Sequence, residues 1–168
     1  ASFWVRRARK WGAFEEYYPW EQGYPPLAFS TLAIAKLVSE GIVGLEDVRP
    51  GLAIASRQLS TRFEAQAANQ QIAGIAALTA IGKLDGAMVD AASLEDLTVR
   101  SLGLQHPEGW FVEYEGPDTG YLSVTLDCLW DLYDLTGDRR FLESAIAAFQ
   151  FMYRMLMSVG AIGMMNAR

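Results

Sequence analysis

Apolar residues recur every three to four positions along most of this chain, and short runs containing Gly, Pro and Asp break the pattern into segments. After Pro25-Pro26, the series Leu27, Leu32, Ile34, Leu37 and Val38 predicts a helix that stops at Gly41, where a residue without a Cβ can take the left-handed C-cap. The stretch 41–51 holds Gly44, Pro50 and Gly51 and reads as a turn, leaving a shorter second helix over 52–59. Residues 64–84, rich in Ala, Gln, Ile and Leu, predict a third helix ended by Asp85-Gly86. Residues 88–102 predict a fourth, with Asp90 or Ser93 as N-cap. The segment 103–120 carries Pro107, Gly109, Gly116, Pro117 and Gly120 and cannot continue either neighbour. Two strong helical patterns follow, over 121–135 and 139–157, and the short Thr136-Gly137-Asp138 connection makes them antiparallel neighbours.

The turn sequences Lys83-Leu-Asp-Gly86 and Leu135-Thr-Gly-Asp138 occupy equivalent places, and Leu37-Val-Ser-Glu-Gly41 resembles them more weakly. Their spacing of roughly fifty residues fits one helical hairpin per repeat. The expected fold class is therefore all-α: an antiparallel αα-hairpin array with the geometry of an incomplete (α/α) toroid. It is expected as one domain over residues 1–168, with about three hairpins and 1–23 as a leading segment. The abrupt opening at Ala1-Ser-Phe-Trp and the close at Arg168 without a helix stop lead to the expectation of a piece cut from a longer chain.

Composition removes several function classes. Hydrophobic residues make up 51% of the 168, enough for one sizeable core, and the formal charge is −6. Basic residues are scattered except for Arg6, Arg7, Arg9 and Lys10, which read as a solvated helix face, so nucleic acid is not an expected partner. A single cysteine, Cys128, lies in an apolar pattern as a small core residue; it excludes an internal disulfide and a Cys-based zinc site. With His106 as the one histidine, His-rich metal sites and Ser-His-Asp triads have little to draw on, and neither metal nor cofactor is expected. No apolar run is long enough for a membrane span, and the start lacks the order of a signal peptide, which leaves the compartment open.

Chain direction suggests where chemistry would lie. In an array of alternating antiparallel helices every odd helix starts at one end, so the approaches to the first, third and fifth predicted helices are expected on one face. Those approaches are Glu15-Glu-Tyr-Tyr-Pro-Trp-Glu-Gln-Gly-Tyr24, Phe63-Glu-Ala-Gln-Ala-Ala-Asn-Gln-Gln71 and Gly109-Trp-Phe-Val-Glu-Tyr-Glu-Gly-Pro-Asp-Thr-Gly-Tyr121. They hold most of the Trp and Tyr together with carboxylates and amides, a composition that stacks on sugar rings and hydrogen-bonds hydroxyls. The expected contacts to a polysaccharide or oligosaccharide are Tyr17, Tyr18, Trp20, Gln22, Tyr24, Asn69, Gln70, Trp110 and Tyr114. The same aromatics would also serve as plugs beneath long loops, which is the plain packing alternative.

Glycoside hydrolysis needs two carboxyl groups, one protonated and one ionised, and Glu113, Glu115 and Asp118 follow one another closely, with Glu21 on the first approach. Glu113 and Glu115 stand two residues apart, and at most one of the pair is expected to face the cleft. A lyase would instead use a carboxylate-neutralising amide and a base, for which Asn69, Gln70, Tyr24 and Tyr121 are present and His106 is a discounted candidate. The catalytic candidates are Glu21, Glu115, Asp118 and Tyr121.

The first tract, the Ala68-Asn-Gln70 helix start and the tract from Gly109 to Leu122 resemble heparinase II/III-like toroid proteins of bacterial polysaccharide loci. The resemblance covers most of the chain and implies an incomplete (α/α) toroid with further hairpins after Arg168, and a carbohydrate-active role of which polysaccharide lyase is the commonest form. Where similar proteins carry Glu-His-Ser-Tyr, this chain has Glu21-Gln22-Gly23-Tyr24 and lacks that imidazole. Two expectations therefore stand side by side: an enzyme of lyase or glycoside hydrolase type, and a non-catalytic helical-repeat module that binds sugar or protein. An open array would also leave the last hairpin's apolar flank uncovered at Phe149, Phe151, Met152, Met155 and Leu156, giving self-association.

Overall fold

The structure is a computed structural model that describes residues 2–11, 14–18 and 21–159. It is all-α: seven α-helices are found among the described residues, joined by turns and isolated β-bridges. They are α1 (Ser2–Trp11), α2 (Tyr24–Ser39), α3 (Leu45–Thr61), α4 (Ala68–Leu84), α5 (Ala91–Leu102), α6 (Thr119–Thr136) and α7 (Arg139–Val159). No described helix is long and apolar enough to cross a membrane.

Two compact units are present: Ala1–Phe63 with Ala73–Leu97, and Glu64–Ile72 with Thr98–Arg168. In the first, α1 and α2 both pack on α3. Helix α1 falls in the stretch expected only as a leading segment; Trp4, Val5 and Ala8 are buried and Arg6 and Arg7 exposed, while the side chains of Arg9 and Lys10 lie outside the described residues. The indole of Trp4 donates from Nε1 to Ser30 Oγ at 2.9 Å.

Helix α3 starts seven residues before the predicted 52–59 segment, at Leu45, because two expected breakers act differently. Pro50 sits inside the helix, and Gly51 is a notch: a Cβ there would come within 2.6 Å of the Trp4 ring. Asp85 binds Arg49 and caps the 3-10 turn Gly86–Met88 through Ala87 N–H at 3.0 Å. Asp90, not Ser93, caps α5, accepting the Ser93 N–H at 2.8 Å.

In the second unit, α6 and α7 form the expected hairpin, with Gly137 at φ 69 as the left-handed C-cap of α6. Leu122, Cys128, Leu129, Leu132, Phe141 and Ala148 are buried, which places Cys128 in the core as expected. Gly109 has φ 106, and a Cβ there would collide with the Ala147 carbonyl, so the 103–118 segment is held against α7 at a position only glycine can fill.

Candidate functional site

The segment 64–72 begins not as helix but as an extended bracket. Ala67 and Glu113 form an antiparallel bridge; Ala68 N–H donates to Val112 O at 3.0 Å, and Tyr114 N–H donates to Gln66 O. Gln71, fully buried, clasps the same bracket from inside α4: its Oε1 accepts the Glu64 N–H at 2.8 Å and its Nε2 donates to Ser101 Oγ at 3.1 Å. The approaches to α4 and α6 are thus joined within one unit.

Glu113 lies at the centre of this bracket and is 5% exposed. Its Oε1 accepts the Asn69 N–H, one of the open donors in the first turn of α4, at 2.8 Å. Its Oε2 is buried with no hydrogen-bond partner among the described residues. Burial pushes this carboxyl up to about 7; the Asn69 bond opposes the rise, and the charges of Asp118 and Glu64 add to it. The helix-terminus donor favours the carboxylate, but desolvation wins.

Immediately after it, Tyr114 has φ 56, the left-handed region that tyrosine rarely adopts, while its ring is 60% exposed. Two turn bonds fix this geometry, Glu113 N–H to Gly116 O at 3.0 Å and Gly116 N–H to Glu113 O at 3.2 Å. Strain of about 1–3 kcal/mol is thus held to display an aromatic ring in water. Phe111 and Glu113 share the inward face, and the turn at Tyr114 breaks the alternation, so Glu115, which a continued extended chain would place beside Glu113, is exposed.

The other expected site residues of this unit lie along the same stretch. Asp118 is the N-cap of α6, its Oδ1 accepting the Tyr121 N–H at 2.9 Å, and Tyr121 is exposed on the first turn. Asn69 spends its Oδ1 on the Gln70 N–H at 2.8 Å and is itself buried. Trp110 stacks on His106 with ring centroids 4.3 Å apart and donates to Glu108 Oε2 at 3.2 Å. Glu113 was visible in the sequence as one of three neighbouring acids, but its inward turn depends on Ala67, some 46 positions away, and no local signal marks it.

In the first unit, Glu21 is not a free acid. Its Oε2 gathers the N–H groups of Glu16, Tyr17 and Tyr18 at 3.1, 2.7 and 3.3 Å, and these bonds, Tyr17's foremost, hold the carboxyl below the ordinary range. Tyr17 and Tyr18 are exposed on that turn, and Trp20 lies outside the described residues. The Gln22 carbonyl accepts Arg62 Nη2 at 2.9 Å, and the same guanidinium covers the buried ring of Tyr24 at 5.2 Å from its centroid. Tyr24 also fills the space left by Gly74, where no Cβ would fit, and so acts as a packing residue.

Among the described residues no group of three or more His, Cys, Asp or Glu is placed to hold a metal ion. Compared with known protein families, with characterised proteins and with solved structures, the chain matches none.

Proposed function

We propose that this chain is part of a carbohydrate-active (α/α) toroid of heparinase II/III-like type, and that its polysaccharide contact surface is the turn around Tyr114 with the start of α6. The observation that carries this reading is the strained, solvent-facing Tyr114 beside a carboxyl that titrates near neutrality. The Tyr114 ring is more than half exposed, so a sugar face can stack on it without displacing packed side chains, and Tyr121 offers a second exposed ring on the same approach. Glu113 supplies an acid–base group whose pKa suits either the proton donor of a glycosidase or the proton acceptor of a lyase.

One observation favours the binding-only alternative. Glu113 Oε2 is closed off from solvent, so proton transfer to a bound sugar requires the 112–116 turn to lift, whereas stacking on Tyr114 does not. The two are separated by assaying an oligosaccharide panel for binding and for turnover. Tyr114→Ala is expected to weaken binding about tenfold, the loss of one stacking ring. Glu113→Gln is expected to abolish turnover while leaving binding intact if the chain is an enzyme. Binding without turnover in the wild type selects the module, and unchanged affinity in both Tyr114→Ala and Tyr121→Ala removes the saccharide reading altogether.

A further inference from the structure

Of the flank expected from the sequence, Phe149 is exposed, Met155 and Leu156 are half-buried, and Phe151 and Met152 turn inward; the uncovered stripe is made by Ile146, Phe149, Tyr153 and Met157, which are between 48% and 68% exposed. These positions follow one another at intervals of three and four and lie within one quarter-turn or so of the helix surface. The stripe runs about 17 Å along the axis at 1.5 Å per residue. Four large apolar side chains in a row are more than the isolated exposed leucine or valine a soluble surface normally carries.

Charge along the same flank is arranged in opposite sense at its two ends. Glu143 stands one turn before Ile146 and Arg154 directly after Tyr153, both exposed and both on the same edge of the stripe. Each has a replaceable partner of its own, Arg139 Nε at 3.6 Å from Glu143 Oε1 and the Glu108 carbonyl at 2.7 Å from Arg154 Nη2.

We propose that α7 is a homodimer interface, formed by an antiparallel pairing with a second copy of this chain about a two-fold axis through Phe149. A two-fold perpendicular to the helix brings equal edges together, so Glu143 meets the partner's Arg154 and the partner's Glu143 meets Arg154. The same operation sets Ile146 against the partner's Tyr153 and stacks Phe149 on its own copy. A parallel pairing, whose two-fold runs along the helices, brings opposite edges together and leaves Glu143 and Arg154 on the far side of the seam from their copies, without this ion pairing. The occupant of the stripe is therefore a second copy in one orientation. Its existence does not depend on what the Tyr114 surface binds.

Sedimentation velocity of the full chain over a range of concentrations tests this. A reversible dimer is expected, with Phe149→Glu monomeric at every concentration and retaining its helical circular dichroism. Glu143→Arg is expected to weaken the dimer at least tenfold, and Glu143→Arg with Arg154→Glu to restore it. A wild-type monomer overturns the proposal, as would a stripe filled by other helices of a longer chain, which shows itself as that monomer. A dimer indifferent to Phe149→Glu, or a charge reversal without rescue, overturns it equally.

Discussion

Glu113 is the residue at which fold and chemistry meet, and its titration gives the stability of this chain a definite pH dependence. A carboxyl that keeps its proton up to about pH 7 when folded, against 4.5 when unfolded, binds more protons in the native state between those values. Stability therefore falls as pH rises from about 4.5 to about 7 and levels off above it, a loss on the order of 3 kcal/mol for this group alone. Glu113→Gln retains the carbonyl that receives the Asn69 N–H and cannot ionise, so urea midpoints of the variant are expected to stay flat over that window. Above neutrality the variant is expected to be the more stable protein. A parallel decline in the variant would show that Glu113 is not the source of the pH dependence.

At the level of elements, the segment between α5 and α6 is defined by two residues with different physical tasks. Asp118 satisfies an open N–H at the start of α6, and Asp118→Ala is expected to cost about 1 kcal/mol, the usual value of an N-cap. Gly109→Ala places a methyl group against the Ala147 backbone in a conformation closed to alanine and is expected to cost about 3 kcal/mol or prevent folding. Equal midpoints for the two variants in a denaturation series would contradict that assignment of roles. The helices themselves were largely legible: α2, α6 and α7 follow from apolar spacing and from Gly41 and Gly137. Helices α1 and α3 were misread where tertiary packing overrides local signals. Gly51 and Pro50 look like a turn until Trp4 is seen to need the space, and α1 is too short to be stable without the α3 surface it covers. The candidate site was legible as a tract but not in its polarity. An extended chain would place Glu113 and Glu115 on one face; the long-range bridge of Glu113 to Ala67 and the turn at Tyr114 separate them, and neither is marked by a local signal.

For the molecule as a whole, on the proposed saccharide reading, the distribution of charge discriminates among candidate ligands. The chain carries a formal −6, and the stretches 64–72 and 109–121 contain Glu64, Glu113, Glu115 and Asp118 but no Lys, Arg or His. A uronic-acid polymer approaching that surface meets like charge on both scales, local and global, whereas a neutral glycan meets only aromatic faces and hydrogen-bonding groups. Raising ionic strength from about 20 to about 200 mM shortens the screening length from roughly 20 Å to under 10 Å. Affinity for an anionic oligosaccharide is therefore expected to rise severalfold with added salt, while that for a neutral one of equal length stays constant. Titration calorimetry at both salt concentrations measures this. Affinity for the anionic ligand that instead falls with salt would mean that cationic side chains, absent from the 64–72 and 109–121 stretches, carry the contact, and would overturn the assignment of the surface to the Tyr114 turn.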